Sequence, residues 1–334
     1  MRSPELLVRL PIAFDVATLR AEVDALGADA WVPHPDRIPG NEAVRLITPD
    51  GAMNEGVAGN MAATSYLKAS PYIMQALAEI GAVWGRARLM RLAPGMIVPP
   101  HVDTNFYWRK HLRIHIPIIT TPDVLFTCND KTVHMAAGEC WTFDTFSMHH
   151  VVNRGAAART HLVVDTVGGD QLWDLLARGR AAASDPSQSK PKFVRPDPTR
   201  QYSLQFERAF KPAIMTQWEL RYHINFAAEH AVGHPRLEAV LQRMDRFIAS
   251  WAAVSARFGD AIEGTQHFQQ LINGIEKDLT ALGGETIMLT NKLPLYRQIF
   301  ELLHNARESL PRTVTPSITA VNDRSPEMAI NVGH

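Results

Sequence analysis

His101 and Asp103 stand two residues apart, and two adjacent histidines, His149 and His150, follow further along the chain. Two imidazoles and one carboxylate make a facial set of three ligands for Fe(II), which leaves three positions open for a co-substrate and O2. Such a site needs neutral imidazoles and an ionised carboxylate, and these residue types supply both near neutral pH. Arg159 lies ten residues past His149 and offers a planar guanidinium fork for the far carboxylate of a 2-oxoacid. A lone His-x-Asp pair is weak, since most are surface accidents. The reading rests on all four requirements being met together. Adjacent strand residues point to opposite faces, so only one of His149 and His150 can be the third ligand, and spacing alone leaves both open.

Residues of this kind must be held by a rigid scaffold. From Arg86 onward the chain is a series of short β-branched and aromatic runs: ARLMRL, LRIHIPII (112–119), VLFTC (124–128), TVHMA (132–136), ECWTFD (139–144), HVV (150–152) and THLVVDTV (160–167). Turn signals such as Pro94-Gly95, Asn129-Asp130 and Gly138 separate them. The pattern suggests an all-β barrel or a double-sheet jelly roll, and the fold expected is the jelly roll, a double-stranded β-helix over about 85–168. In LRIHIPII, Leu112, Ile114, Ile116 and Ile118 share one face, which packs on a second layer. Arg113 and His115 share the other, turned toward the site. His115 is then a donor near the metal or co-substrate, against the alternative of a satisfied core histidine. Arg113 is a carboxylate clamp, against an ion pair on the sheet. A buried arginine without a partner is costly, so Arg113 should meet the carboxylate of an amino-acid-like substrate. The loop Thr104–Arg109 offers Asn105, Tyr107 and Trp108 to the substrate, and His161 shares a face with Arg159.

The flanks are helical. Val16, Leu19, Val23 and Leu26 recur at helical spacing, a strand candidate covers Ala43–Thr48, and Ser70-Pro71 opens a helix running to about Trp84. Residues 181–203, with four prolines and four serines, read as a linker or an extended strap. Beyond it, Thr216-x-x-Glu219 signals a capping box. Leu237 to Trp251 and Phe268 to Leu282 carry i, i+3, i+4 stripes of about 35 Å each at 1.5 Å per residue. A last helix covers about Leu295–Ala306. The expected organisation is an α+β chain with four parts. These are an oxygenase-type jelly roll over 1–180, the linker 181–203, a helical region 204–310 and a polar tail 311–334. The helical region is expected to serve as a lid or a homodimer contact.

Lys plus Arg and Asp plus Glu both total 34 in 334 residues, so the balance gives no sign of a nucleic-acid or anionic-membrane partner. The two cysteines, Cys128 and Cys140, are too few for a disulfide framework and point to a reducing compartment. No apolar run approaches a membrane helix, so the expected location is cytoplasmic.

RLMRLAPG (88–95), HVD (101–103), RIHIPI (113–118), GECWTFD (138–144), His149, Asn153 and RTHLVVD (159–165) together resemble the aspartyl/asparaginyl β-hydroxylase family of Fe(II)/2-oxoglutarate oxygenases. The likeness spans roughly 70–170 and extends to a bacterial branch of amino-acid hydroxylases such as proline cis-4-hydroxylase. It implies that His149 is the distal ligand and that Arg159 anchors 2-oxoglutarate. It also implies hydroxylation of an unactivated C–H of an amino acid, or of a peptidyl or conjugated relative, with release of succinate and CO2. Retention of Asp103 favours hydroxylation, since a site lacking it could admit a halide. The alternatives are a cupin-like metalloenzyme that does not use 2-oxoglutarate, and a non-catalytic adaptor working through its C-terminal helices.

Overall fold

A strand with a branched apolar residue at every second position is satisfied only when that side is buried against another layer. The computed structural model shows which layer this is. It describes residues 5–311, apart from 36, 58, 106, 185–189 and 209–213. The first half contains β1 (Leu7–Phe14), α1 (Val16–Asp24), β2 (Val32–Pro33), β3 (Asn41–Pro49), β4 (Met61–Ala63), α2 (Ser65–Lys68), α3 (Pro71–Ile80) and β5 (Val83–Leu92). The site-bearing stretch follows with β6 (Ile97–His101), α4 (Tyr107–Lys110), β7 (Leu112–Ile119), β8 (Val124–Cys128), β9 (Lys131–Val133), β10 (Glu139–Phe143), β11 (His149–Asn153) and β12 (Arg159–Gly168). Then come α5 (Asp170–Ser184), β13 (Lys192–Val194), β14 (Gln205–Phe206), α6 (Gln217–Glu229), α7 (Leu237–Phe258), α8 (Thr265–Ala281) and α9 (Leu295–Glu308).

One sheet runs β13-β1-β10-β7-β12-β5-β3-β2, with β14 added on β5 and β4 on β3; the other runs β6-β11-β8-β9. Phe143 and Leu92 of the large sheet pack against Phe126, Val124 and Val151 of the small one, which makes the jelly roll. The back of the large sheet is covered by helices. Ile114, Ile116 and Ile118 share a core with Leu19 and Val23 of α1, Ile73 and Leu77 of α3, and Leu172 and Leu175 of α5. Each fully buried aliphatic side chain there contributes roughly 1.5–3 kcal/mol relative to exposure. The other face of β7 is thereby left for polar residues.

Local signals set the helix ends. Asp15 caps α1 by accepting from the Thr18 amide at 2.8 Å. Pro71 opens α3, and Gly81 at φ 68° closes it. The helix expected to reach Trp84 therefore stops short, and Val83 and Trp84 begin β5. The first residues of the segment expected as linker, 181–184, complete α5 instead. Further on, the segment is a strap: β13 pairs parallel with β1, and Tyr72 Oη and Gln75 Nε2 donate to the carbonyls of Val194 and Arg195 at 2.6 and 2.8 Å.

The capping box at Thr216 and Glu219 forms as read. Helices α6–α9 build a second core around Met244, Phe247, Trp251, Phe268, Ile272 and Leu303. At 17 residues, α8 is nearer 26 Å than the expected ~35 Å. Cys128 and Cys140 are free and buried. Among the described residues no helix is long and apolar enough to cross a membrane. The polar tail expected after residue 311 lies outside the described residues.

Candidate active site

The small sheet supplies one half of the site. β6 and β11 pair antiparallel with His149 opposite His101, and the two rings lie 4.2 Å apart. Asp103 follows just past the end of β6. The ligand atoms of His101, Asp103 and His149 lie within 4.8 Å of one another. His101 Nδ1 is 2.9 Å from the Pro99 carbonyl, and His149 Nδ1 is 2.9 Å from the Ser147 carbonyl. A carbonyl only accepts, so each Nδ1 carries the proton and each Nε2 keeps a free lone pair, the form a metal takes.

Burial brings the His149 pKa down to about 4, so the ring is neutral at pH 7. Burial acts to raise the Asp103 pKa, but its neighbours, foremost Arg113 with Nη1 3.2 Å from Oδ2, together outweigh it and the net shift is downward. Two imidazoles with their Nε2 atoms turned inward and one carboxylate are a donor set that fits Fe(II) with positions to spare. His150 lies on the opposite face of β11, half-buried and across from Thr127 of β8, outside the cluster.

The large sheet supplies the other half. β7, β12 and β5 lie side by side, with Asp165 beside Arg113 and Val163 beside both His115 and Arg88. A cavity of about 410 Å³ opens between the sheets and is bounded by the three candidate ligands together with Arg113, His115 and Arg159. Arg159 is 5% exposed. Its Nη2 donates to His161 Nδ1 at 2.7 Å, while its Nε has no partner. Among the described residues it makes no ion pair. Burial lowers its pKa to about 9, which still leaves it charged at pH 7. His115 has no hydrogen bond at either ring nitrogen, and burial, ahead of Arg159, pushes its pKa well below the usual 6.5. A buried cation and a buried neutral imidazole, both facing a cavity and both short of partners, fit an anionic, oxygen-rich ligand. His161 lies on the same strand face but off the cavity.

The expectation that Arg113 lacks a partner is corrected. Its Nη1 meets Asp103 and its Nε meets Asp165 Oδ1, both at 3.2 Å, and its guanidinium stacks on Trp108 at 3.9 Å. The physical reason is register: Asp165 of β12 is the direct neighbour of Arg113 across the ladder. The loop 104–109 is corrected in part. Trp108 lines the cavity, but Asn105 and Tyr107 do not. The loop folds into α4, where Asn105 Oδ1 accepts from the Tyr107 amide at 2.9 Å and Tyr107 is buried against His111.

Four charged cavity residues escaped the sequence reading: Glu55, Arg86, Arg88 and Asp165. Glu55 accepts from Arg45 at 2.6 Å and from the buried Arg88. A signal for three of them was available. Arg86 and Arg88 on β5, and Arg159, His161 and Asp165 on β12, repeat at the two-residue period already visible in Arg113 and His115.

Residues 56–168 match the family model for aspartyl/asparaginyl β-hydroxylases. Among curated proteins, L-proline cis-3-hydroxylase 1 of a Streptomyces species is 26% identical over 106 residues, covering 30% of this chain. The match takes in 37% of that protein, so the chain spans just over a third of its relative's length. Two solved structures are similar at low identity. One is a 2OG-Fe(II) oxygenase-family oxidoreductase from Burkholderia pseudomallei, with TM-score 0.37, 16% identity, and coverage of 50% of this chain and 87% of that one. The other is a prolyl-4-hydroxylase from Pseudomonas putida, with TM-score 0.34, 14% identity, and coverage of 49% and 92%. The jelly-roll assignment rests on the chain's own strand order.

Proposed function

We propose that this chain is an Fe(II)- and 2-oxoglutarate-dependent dioxygenase that hydroxylates an unactivated C–H of an amino acid or a peptidyl or conjugated relative. The observation that carries the reading is Arg159: a buried guanidinium without a carboxylate partner, facing the cavity that also holds His101, Asp103 and His149. Those three would hold the iron. Arg159 would take the distal carboxylate of 2-oxoglutarate as a charge-assisted pair, and His115 would offer its ring nitrogen to the same ligand. Arg113 keeps Asp103 ionised and oriented, and Trp108 covers the Arg113 guanidinium. Iron with O2 would supply the oxidising power, so that one oxygen atom enters the substrate as the other enters succinate, with CO2 released.

The proline-hydroxylase relative supports an amino-acid-like substrate. Arg86 and Arg88 on the cavity wall, paired with Asp165 and Glu55, would add positive charge on the side where its carboxylate enters. The buried free thiols suit a cytoplasmic location. Trp218 and Tyr222, exposed four residues apart on α6, supply an apolar face for a homodimer contact. A metalloenzyme that does not use 2-oxoglutarate leaves Arg159 without a role. The test is to incubate the protein with Fe(II), 2-oxoglutarate, O2 and a panel of free and N-blocked amino acids, following succinate by NMR. Succinate above the no-enzyme control, increased by one substrate class, is expected. No succinate from a metal-loaded protein under any condition overturns the reading.

A further inference from the structure

The family match ends at residue 168, yet the core built by α6–α9 contains side chains from the barrel: Val102, Phe146 and, partly buried, Met148. Each is a chain neighbour of a metal-site residue. Val102 lies between His101 and Asp103. Met148 precedes His149. Phe146 precedes Ser147, whose carbonyl accepts the His149 Nδ1 proton. Alternation accounts for Val102 and Met148, since ligands point to one side and their neighbours to the other, while Phe146 is turned outward by the tight turn that Ser147 closes on the Asp144 carbonyl.

Polar bonds fasten the same two loops. Gln298 of α9 donates from Nε2 to the Thr104 carbonyl at 2.7 Å, and Asn291 donates from Nδ2 to the Phe146 carbonyl at 3.0 Å. The Asp103 amide donates to the Thr145 carbonyl at 3.2 Å, tying one ligand loop to the other. Arg109 donates from Nη2 to the Asp103 carbonyl at 3.3 Å, and its guanidinium lies over Phe146 at 4.6 Å and over Phe226 of α6 at 4.4 Å. Arg109, Asn291 and Gln298 are all buried. Among the described residues, none of the helical region lines the cavity. Its contacts reach the ligands from behind.

We propose that α6–α9 form a clamp that sets the spacing of the three metal ligands, with Gln298 and Asn291 as positioning residues and Arg109 joining the clamp to the Asp103 backbone. The proposal rests on reading the cluster as a metal centre. The β6–β11 ladder sets His101 opposite His149, but Asp103 lies past the end of β6 and its place depends on what holds the two loops together; a misplacement of about 1 Å can cost on the order of 100-fold in function. The clamp differs from the lid expected from sequence in reaching the ligands from behind rather than lining the cavity.

The test uses Co(II) binding to the full chain, read by affinity and by ligand-field absorption, which reports coordination geometry. The double variant Gln298→Met, Asn291→Leu keeps side-chain volume and removes both donors. Arg243→Ala is the control, because it breaks the α7–α8 pair to Asp278 without touching either ligand loop. The expected result is a folded double variant, by circular dichroism, that binds Co(II) at least tenfold more weakly with a shifted spectrum, while Arg243→Ala matches wild type. A double variant within twofold of wild type and with the same spectrum overturns the clamp. If the double variant does not fold, each single variant is expected to lose about threefold, and unchanged binding in both overturns it. A wild-type protein that binds no Co(II) overturns the metal reading itself, a distinguishable failure.

Discussion

Arg159 donates to the Nδ1 of His161 at 2.7 Å, and that partner satisfies a hydrogen bond without neutralising the charge. The guanidinium is buried, with a pKa brought down to about 9 by desolvation alone. A group held this way costs the ligand-free protein stability and is kept for what it binds. Arg159→Met should therefore stabilise the ligand-free protein, by about 1–4 kcal/mol on the pattern of buried charges replaced by apolar side chains. Urea unfolding measures it. A loss of stability on substitution would make Arg159 structural.

Arg113 is placed differently, between Asp103 and Asp165 and against Trp108. Arg113→Ala leaves Asp103 without this cation and Asp165 with Arg86 alone, so it should lower stability by on the order of 3–5 kcal/mol. It should also weaken metal binding, because Asp103 loses the group that favours its ionised form. Metal titration and urea unfolding of this variant check both. A variant with normal metal affinity and only a raised KM for substrate would return Arg113 to the substrate.

The register of β11 makes a simpler prediction. His149 faces His101, and His150 faces away. His149→Ala should lose bound metal and turnover, while His150→Ala should keep its metal. Metal content after dialysis decides between them, and the reverse pattern would mean the strand is shifted by one residue.

Much of this site was legible before the structure because strand periodicity is short-ranged. Arg113 and His115 turn to the cavity as alternation predicts, while the choice of His149 over His150 rested on the family resemblance. What lies beyond the strand was not legible. That Asp165 neighbours Arg113 depends on which strands pair, a long-range choice that a two-residue period does not encode. Asn105 and Tyr107 were misjudged because one turn of helix redirected their side chains. The back layer of helices was partly visible, but α5 was missed where a linker was expected. The attachment of α6–α9 to the ligand loops shows in sequence only as apolar residues beside ligands, such as Val102.

Burial also makes stability depend on pH. His115 and His161 are held well below the usual 6.5, and His223 is brought down to about 4, in each case foremost by burial. In the unfolded chain these rings titrate near 6.5. As pH falls below that value, the unfolded state takes up protons that the folded state does not, so folding loses stability. The loss continues until pH passes the lowered folded values, and above pH 6.5 these rings contribute no slope. Each ring contributes up to ~1.4 kcal/mol per pH unit. Urea midpoints of metal-free protein should fall from pH 7 to pH 5, and less steeply in His161→Gln. A flat profile over that range would show that these rings are protonated in the folded protein.

The central claim is that one cavity joins a three-ligand iron site to a cation reserved for a 2-oxoacid. Calorimetric titration of 2-oxoglutarate, without O2, into Fe(II)-loaded protein tests it most directly, with metal-free protein and Arg159→Ala as comparisons. Losing one partner of a buried charge pair costs on the order of 2–5 kcal/mol, or roughly 30-fold or more in affinity. The account predicts tight binding to the iron-loaded wild type, at least about 30-fold weaker binding to Arg159→Ala, and little binding without metal. Equal binding by wild type and Arg159→Ala, or binding indifferent to metal, would contradict it.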